Sequence, residues 1–275
     1  MTKPIKTHQR ILLTGAAGQL GQVLRESLKA NTLVLRVSDR SPLGEAQANE
    51  EVVQADLADR AAVEDAVAGC DAIVHMGGIS VEAPFEDILQ ANILGLYHLY
   101  EAARTHGVRR VVFASSNHVV GFYGQGQTIT ADHPPRPDGF YGVSKAFGED
   151  LSRMYFERDG IETACLRIGS STPFPRDRRM LASWLSHGDL HRLISACLST
   201  PVLGHSIIFG MSNNAVTWWD NRLARHIGYV PQDSSDDYRE AVFAQTDPPK
   251  LSDPVAKLQG GAFVAIDARR TKEST

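Results

Sequence analysis

Short hydrophobic runs alternate with amphipathic stretches over the first two-thirds of the chain. Several of these runs are almost continuously apolar, which is typical of parallel strands that helices cover on both faces. The predicted strands are Arg10–Thr14, Leu33–Ser38, Glu51–Ala55, Ala72–His75, Arg110–Ala114 and Thr163–Ile168. The predicted helices between them are Leu20–Lys29, Arg60–Ala68, Phe85–Thr105 and Tyr141–Arg158. This alternation predicts an α/β fold with right-handed crossovers and a doubly wound parallel sheet.

The regular alternation ends after Gly169. The remaining predicted elements are helices around Leu181–Ser186 and Leu190–Leu198 and a strand at Ser206–Met211. That strand is expected to join the main sheet, whereas residues 233–275 show no pattern that assigns them. We therefore predict one core over residues 1–170 and a small carboxy-terminal appendage over residues 171–275, rather than two independent domains.

The predicted helix Phe85–Thr105 is apolar on more than one side, through residues such as Leu89, Leu96 and Tyr100. Such a helix packs on the sheet with one face and on something else with the other. A second subunit is the partner that we expect, which predicts a homo-oligomer of undetermined size. A purely internal core is the alternative.

Composition excludes two classes of partner. The 275 residues are 43% hydrophobic and 22% charged, as in ordinary soluble globular proteins. The net charge of −4 gives no general attraction to nucleic acid or to an anionic membrane. No apolar run reaches the roughly 18 residues that a membrane-spanning helix needs. We therefore expect neither nucleic acid nor a membrane as a partner.

The first residues, Met1–Lys6, are polar and lead directly into a predicted strand, so we expect no signal peptide. Three cysteines, Cys70, Cys165 and Cys197, are odd in number and lack the spacing of metal ligands. We interpret them as buried free thiols, and we expect no metal site. A reducing cytoplasm is the expected location.

A strand, a glycine turn and a helix start follow one another in Ile11–Gly21. In a Rossmann-type fold, the first glycine permits a tight turn, the second lets the backbone approach a pyrophosphate, and the third allows close helix packing. The phosphates then lie over the positive end of the helix. The spacing is GxxGxxG rather than GxGxxG, but its place in the first strand-to-helix turn favours a dinucleotide site. The residues expected to line it are Gly15, Gly18, Gln19, Leu20 and Gly21.

Acidic residues follow the second and third predicted strands. At Asp39, a carboxylate accepts hydrogen bonds from the adenosine ribose and repels a 2′-phosphate. This favours NAD over NADP, although the adjacent Arg40 can hold that phosphate, and a turn-capping role for Asp39 is the alternative. Asp56 and Leu57 are expected to flank the adenine. A helix N-cap is the alternative for Asp56.

Tyr141 and Lys145 are four residues apart on a predicted helix and therefore share one face. An ammonium group near a phenol favours the phenolate, by roughly 4 kcal/mol at about 4 Å and an effective dielectric near 20. We therefore expect the pKa of Tyr141 to fall from about 10 toward 7, where a phenol acts as a general base. A tyrosine packed beside a solvated lysine is the alternative.

Together with the serines that end the fifth predicted strand, these motifs resemble the short-chain dehydrogenase/reductase superfamily, in its extended branch. The resemblance covers roughly residues 10–170. It implies that Ser116 orients the substrate oxygen and that Tyr141 moves a proton. It also implies that Lys145 holds the nicotinamide ribose of NAD while lowering the pKa of the tyrosine.

Two assignments within this resemblance have alternatives. Ser115 is adjacent to Ser116, and we choose Ser116 because extended members carry a glycine five residues after the active serine, here Gly121. Asn92 matches an asparagine that the superfamily uses structurally and in proton relay, and either role fits.

A finer resemblance extends over nearly the whole chain. The segments that carry it are Gly77–Glu82, Ser115–His118, Arg167–Ser170, Arg179–Leu181, Pro201–Gly204, Trp218–Asp220 and Gln259–Gly261. They are similar to bacterial uronate dehydrogenases, which oxidise C1 of glucuronate or galacturonate with NAD to an aldarolactone. The resemblance implies a uronic acid substrate that is bound partly by the appendage. The residues that it puts around the sugar are Ser80, Ser116, Asn117, His118, Tyr141, Ser170 and Arg179.

The resemblance implies that Arg179 holds the C6 carboxylate, for which a guanidinium fork is geometrically suited. Without the resemblance, Arg179 is a solvated residue of a basic loop, and His118 satisfies a backbone group. Ser80 and Ser170 then have the ordinary role of turn residues. We assign Trp218-Trp219 to the core or to an interface.

Two other functions stay open. A sugar-nucleotide epimerase or dehydratase uses the same scaffold, but two positions depart from its pattern. Ser170 stands where many such enzymes have asparagine, and Val120 stands where they have tyrosine. A non-catalytic dinucleotide sensor has no use for a phenolate base, whereas Ser116, Tyr141 and Lys145 are all present. The sequence does not rank glucuronate against galacturonate.

Overall fold

A computed structural model of the chain describes residues 8–250 and 252–270, so the polar start Met1–Lys6 lies outside the described part. The strands are β1 (His8–Thr14), β2 (Thr32–Asp39), β3 (Glu50–Gln54), β4 (Ala72–His75), β5 (Arg110–Ser116), β6 (Glu162–Ile168), β7 (Ser170–Ser171), β8 (Trp184–Leu185) and β9 (His205–Gly210). β7 and β8 form a short separate ladder. The other seven form one parallel sheet in the order β3-β2-β1-β4-β5-β6-β9. The chain adds strands toward one edge as far as β3 and then toward the other edge from β4 onward, so the switch point lies between β1 and β4.

Helices cover both faces of this sheet. The α-helices are α1 (Gln19–Ser27), α2 (Arg60–Val67), α3 (Phe85–Ile88), α4 (Gly95–His106), α5 (Phe140–Asp159), α6 (Met180–Ser183), α7 (His187–Ser199) and α8 (Arg239–Gln245). Side chains of α1 and α7 fill the core on one face, and those of α2, α4 and α5 fill the core on the other. The predicted Rossmann-type doubly wound sheet is therefore confirmed.

Local sequence explains where several helices begin and end. Helix α2 begins after Asp59, whose carboxylate accepts hydrogen bonds from two amides of the first turn. Helices α4 and α5 end at Gly107 and Gly160, with φ of +70° and +69°. Glycine adopts this left-handed conformation without the steric penalty that a side chain would bring.

The predicted helix at Leu181–Ser186 is wrong in its second half. Helix α6 ends after four residues, and Trp184 begins β8, which pairs with β7. The Trp184 carbonyl accepts hydrogen bonds from the backbone N of Ser212 (2.8 Å) and from Nδ2 of Asn214 (2.9 Å). These long-range hydrogen bonds stop the helix, and they leave no local mark in the sequence.

The predicted helix Phe85–Thr105 runs as α3, a π-helix (Leu89–Leu94) and α4. Leu96 and Tyr100 are buried against the sheet. Phe85 and Tyr97, by contrast, are 41% and 38% exposed. The second apolar side of this helix therefore lies on the surface of the single chain.

The carboxy-terminal third packs against the carboxyl end of the sheet. β9 pairs with β6, and the Trp219 ring stacks on Phe209 with centroids 5.3 Å apart. Trp218 and Trp219 are both buried.

The described part of the chain contains no helix with the length and apolar character of a membrane span. The three cysteines are buried and free, as expected.

Candidate active site

A cavity of about 450 Å³ opens at the carboxyl ends of the strands, where doubly wound sheets bind their ligands. The predicted residues that line it are Gly15, Gly18, Gln19, Leu20, Gly21, Asp39, Asp56, Leu57, Ser80, Ser116, Asn117, His118, Tyr141 and Lys145. The cavity thus runs from the β1–α1 turn to the first turns of α5. Two predicted residues, Ser170 and Arg179, lie behind its wall.

The glycine turn between β1 and α1 leaves no room for side chains. Gly15 has a φ of +69°, and a Cβ there would lie 2.6 Å from the backbone N of Gly77. A Cβ at Gly21 would collide with the Gly15 carbonyl, so the third glycine packs α1 on the turn itself. Helix α1 has no side-chain cap and no acidic residue in its first turn. Its positive end is therefore available to an anionic group.

The Asp39 carboxylate ends β2 on the cavity wall. One of its oxygens accepts a hydrogen bond from the backbone N of Ala17 (3.0 Å), and the other accepts one from the backbone N of Ser41 (2.9 Å). These amides hold the carboxylate beside the glycine turn. Arg40 lines the same part of the cavity.

Asp56 is not the N-cap of α2, so that alternative is wrong. Its Oδ1 accepts a hydrogen bond from the backbone N of Ala58 (2.9 Å), and Asp59 caps the helix instead. Asp56 and Leu57 both line the cavity near Gly77.

Tyr141 and Lys145 lie in the first turns of α5, and both are buried. The N-cap glycine of this helix has no side chain, and Glu82 caps the helix from the loop after β4. Its Oε1 accepts from the backbone N of Phe140 (2.8 Å), and its Oε2 accepts from the backbone N of Tyr141 (2.9 Å). A carboxylate at a helix N-terminus is stabilising. The loop that carries Ser80 therefore holds the start of the helix that carries the tyrosine.

Asn92 fastens the same loop from the π-helix. Its Oδ1 accepts from the backbone N of Ile79 (2.8 Å), and its Nδ2 donates to the Ile79 carbonyl and to Ser144 Oγ, both at 3.0 Å. These hydrogen bonds give Asn92 a structural role, which is one of the two roles that the resemblance implies.

Aromatic rings surround the Lys145 ammonium. Its Nζ lies 5.1 Å from the ring centroid of Phe113 and 5.6 Å from that of Tyr141. Burial lowers the pKa of Lys145 to about 8, and no carboxylate of the described chain counteracts this. His75 has its pKa lowered to about 3 by burial and by the Lys145 charge, and its Nδ1 lies 2.7 Å from Thr14 Oγ1. The neighbouring imidazole is therefore neutral.

The expected fall in the pKa of Tyr141 is wrong for the protein alone. Burial raises the pKa of Tyr141 to about 12, although a hydrogen bond with Ser116 lowers it; the charge of Asp138 raises it further. The prediction rested on the attraction between phenolate and ammonium, but Lys145 is not among the groups that shift this pKa in the folded chain. The largest cause is the hydration that the phenolate loses on burial.

The two adjacent serines have different partners. Ser115 Oγ donates to Glu149 Oε1 (2.6 Å), a carboxylate that also forms a buried bidentate ion pair with Arg167 (2.9 and 2.7 Å). The Ser116 side chain instead acts on Tyr141, whose pKa it lowers, and its Oγ accepts a hydrogen bond from the backbone N of His118 (3.2 Å). Ser116 is therefore the serine beside the phenol, and Ser115 ties β5 to α5.

Arg179 is largely buried, in contrast to the solvated residue that is the alternative from sequence. Its Nε (3.1 Å) and Nη2 both donate to the Gln259 carbonyl, and its Nη1 donates to Ser170 Oγ (3.2 Å). The Asn117 side-chain amide finds partners for both its oxygen and its nitrogen in one orientation. In that orientation the Asn117 oxygen accepts a hydrogen bond from Arg179 Nη2 (3.1 Å), and the Asn117 nitrogen donates one to the Ile168 carbonyl (3.0 Å). Burial lowers the pKa of Arg179. Asn117 thus separates the guanidinium from the cavity.

His118 binds a carboxylate instead of a backbone group. Its Nδ1 lies 2.8 Å from Asp138 Oδ2, and its ring stacks on Phe263 with centroids 3.8 Å apart. Phe263 lines the cavity. Asp138, Phe263 and the carbonyl of Gln259 were not predicted as site residues. The only sequence signal was for Gln259, through the Gln259–Gly261 segment of the resemblance, to which no role was attached.

The polar groups that line the cavity fit a dinucleotide. The uncapped start of α1 and the glycine turn would hold the diphosphate, and the carboxylate at the end of β2 would hold the adenosine ribose. The buried ammonium of Lys145 lies farther along the same cavity, beside Tyr141.

Comparison with known proteins agrees with this geometry. Residues 11–192 match the NAD dependent epimerase/dehydratase family. The chain is 56% identical over 255 residues to a uronate dehydrogenase from Pseudomonas putida, across 92% of this chain and 95% of that one. It matches the crystal structure of uronate dehydrogenase from Agrobacterium tumefaciens with a TM-score of 0.93 and 54% identity, across 94% of this chain and 98% of that one.

A mutant of the Agrobacterium tumefaciens enzyme complexed with NAD gives the same TM-score of 0.93, at 53% identity and with the same coverage of 94% and 98%. The family match and the sequence identity over most of the chain therefore agree. The chain belongs to the NAD dependent epimerase/dehydratase family.

Proposed function

We propose that this chain is an NAD-dependent uronate dehydrogenase. It oxidises hexuronic acids, D-glucuronate and D-galacturonate, at C1 to the aldarolactone, with formation of NADH. One observation carries the proposal: the buried guanidinium of Arg179 lies next to the cavity of Tyr141 and has no ion-pair partner in the described chain. A buried cation without a counter-charge is unfavourable. The C6 carboxylate of a uronate supplies that charge, and the likeness to uronate dehydrogenases supports the same substrate class.

Tyr141 removes the proton of the C1 hydroxyl, and Ser116, beside the phenol, donates a hydrogen bond to the same oxygen as negative charge develops on it. NAD, when bound, supplies the oxidised ring that accepts the hydride from C1. Lys145 holds the nicotinamide ribose and stabilises the phenolate through its charge. The positions of these side chains on the cavity wall support the proposed roles.

The raised pKa of Tyr141 sets a condition on this chemistry. The protein alone keeps the phenol protonated at neutral pH, because burial raises the pKa of Tyr141 to about 12. Lys145 supplies one positive charge below its own pKa of about 8. The remaining stabilisation comes from the ligands that fill the cavity, so Tyr141 becomes a base only in the complex.

The two parts of the chain share the work. Residues 1–170 bind NAD and carry the reacting side chains, and residues 171–275 complete the sugar site. The residues proposed to contact NAD are Gly15, Gly18, Gln19, Leu20, Gly21, Asp39, Asp56, Leu57, Tyr141 and Lys145. The residues proposed to contact the uronate are Ser80, Ser116, Asn117, His118, Tyr141, Ser170 and Arg179. Arg179 holds the C6 carboxylate once the Asn117 side chain turns away from between the guanidinium and the cavity.

The test mixes the purified protein with NAD and either uronate and follows the absorbance of NADH. We expect NADH to accumulate with both uronates, and far more slowly with glucose or galactose, which lack the carboxylate. An epimerase on the same scaffold regenerates its cofactor and accumulates none, and a dinucleotide sensor binds NAD without turnover. Absence of NADH with both uronates contradicts the proposal.

We also propose that copies of the chain associate through the surface of α3, α4 and α5, and that the protein works in the cytoplasm. Phe85, Tyr97, Val143 and Met154 leave large apolar side chains exposed on these helices, by 38% to 44%. Buried free cysteines suit a reducing compartment. Light scattering on the purified protein tests the association, and a monomer at micromolar concentration contradicts it.

A further inference from the structure

Asp138 is a buried carboxylate that lies just before the helix of Tyr141, and only 6% of it is exposed. Its Oδ2 lies 2.8 Å from His118 Nδ1. Its Oδ1 is buried and has no hydrogen-bond partner in the described chain. Burial of a half-satisfied carboxylate is unfavourable, so its presence here requires a specific reason.

The backbone closes tightly around this carboxylate. A Cβ at Gly121 or at Gly260 would collide with the Asp138 carboxylate. The same two glycines are joined by a hydrogen bond from the Gly260 backbone N to the Gly121 carbonyl (2.9 Å). The carboxylate is therefore held in one position by two segments that are far apart in the sequence.

His118 is held on its other sides as well. Its ring stacks on Phe263 with an interplanar angle of 22°, and its edge meets the Tyr141 ring with centroids 5.7 Å apart. Because Asp138 occupies Nδ1, Nε2 is the ring nitrogen left to meet a ligand in the cavity that His118 lines.

We propose that Asp138 is a positioning residue of the sugar site, and that it keeps the proton of a neutral His118 on Nδ1. Nε2 then presents a lone pair to a hydroxyl of the uronate. This inference rests on the proposed oxidation of uronates. Without the carboxylate, the imidazole is free to carry its proton on Nε2 and so to present a donor to the cavity in place of the acceptor.

The first test reads the proton position directly, independently of activity. Nitrogen-15 NMR of the imidazole side chains separates the two neutral tautomers, and the signals that disappear in His118→Ala belong to His118. We expect the Nδ1–H tautomer in the unmodified protein and a gain of the Nε2–H tautomer in Asp138→Asn. An Nε2–H tautomer in the unmodified protein overturns the proposal.

The second test is a double-mutant cycle on the kinetics. Asp138→Asn is expected to raise the KM for uronate about tenfold, with a smaller change in kcat and unchanged NAD affinity, because the sugar loses an oriented contact. On a His118→Ala background the same substitution should change little, since it acts through His118. Losses that multiply in the double variant overturn the proposal.

Asp132 provides the matched control, because it is an exposed aspartate of the same loop. Asp132→Asn should leave both the NMR signals and the KM unchanged. The two proposals fail separately: a protein that does not oxidise uronates still reports its His118 tautomer. If the protein oxidises uronates but His118 carries its proton on Nε2, only the proposed role of Asp138 is overturned.

Discussion

The two ends of the cavity are built in different ways. The cofactor end is made of consecutive residues in the β1–α1 turn, where Gly15 and Gly21 let backbone pack on backbone. The substrate end is assembled from segments far apart in the sequence, and Arg179 meets the carbonyl of Gln259 there. A short motif can therefore encode a dinucleotide site, whereas the proposed sugar site forms only in the completed fold.

The two ends also differ in their charges. The cofactor end uses the positive end of a helix and one carboxylate, Asp39, that backbone amides hold. The other end holds the charges of Lys145, beside the proposed nicotinamide position, and of Arg179 and Asp138, at the proposed sugar site. None of the three forms a salt bridge with a lysine, arginine or carboxylate of the described chain. Buried charges of this kind destabilise a fold and are therefore typical of functional sites.

The largest effect on uronate binding is expected from Arg179→Ala. The loss of the guanidinium should lower kcat/KM for uronates by the equivalent of about 2–5 kcal/mol, mainly through KM, and leave NAD affinity unchanged. Steady-state kinetics with glucuronate and with glucose measure this. Arg176→Ala, at an exposed neighbour, is the control. If the preference for glucuronate over glucose survives in Arg179→Ala, the carboxylate is bound elsewhere.

Lys145→Met should abolish turnover and yet stabilise the fold. The pKa of Lys145 is lowered from 10.5 to about 8, so its charge opposes folding by about 3 kcal/mol at pH 7. Because the folded pKa is the lower one, the unmodified protein gains stability as pH rises from 8 to 10.5. Thermal unfolding should therefore show a higher Tm for the variant at pH 7 and convergence of the two proteins above pH 10. An equal Tm at pH 7 would mean that the ammonium is well solvated.

Asp39→Ala should give the smallest of these effects, and only at the cofactor end. Loss of the charge-assisted hydrogen bonds to the ribose should weaken NAD by about 1.5–3 kcal/mol and relax the discrimination against NADP. Titration of each dinucleotide measures this, with the KM for uronate at saturating NAD as the control. An unchanged ratio of NAD to NADP affinity would assign the discrimination to another residue.

The sequence predicted the elements whose causes are local. Continuous apolar runs identified β1, β4 and β5, and the glycine turn identified the cofactor end. It failed at Trp184, where hydrogen bonds from Ser212 and Asn214 end a helix. The pattern also left residues 233–275 unassigned, although Gln259 contacts Arg179 and Phe263 lines the cavity at the proposed sugar site. Contacts between residues that are 28 to 80 positions apart leave no periodicity to detect.

The direction of the Tyr141 pKa shift was also predicted wrongly from the sequence. Spacing alone put Lys145 beside Tyr141 on one helix face, and the structure agrees. The sign of the pKa shift depends on burial, however, and burial raises the pKa of Tyr141 to about 12. A neighbour can be predicted from spacing, whereas hydration is a property of the whole fold.

The central claim is that Tyr141 becomes a base only when the cavity is filled. The direct measurement is the tyrosinate absorbance of the protein against pH, minus that of Tyr141→Phe, without and with NAD. We expect no tyrosinate from Tyr141 below about pH 10 in the protein alone. When NAD is bound, its ionisation should shift toward neutral pH, and Tyr141→Phe should lose turnover. An ionisation that NAD does not move, or a Tyr141→Phe variant that still oxidises uronates at the normal rate, would contradict it.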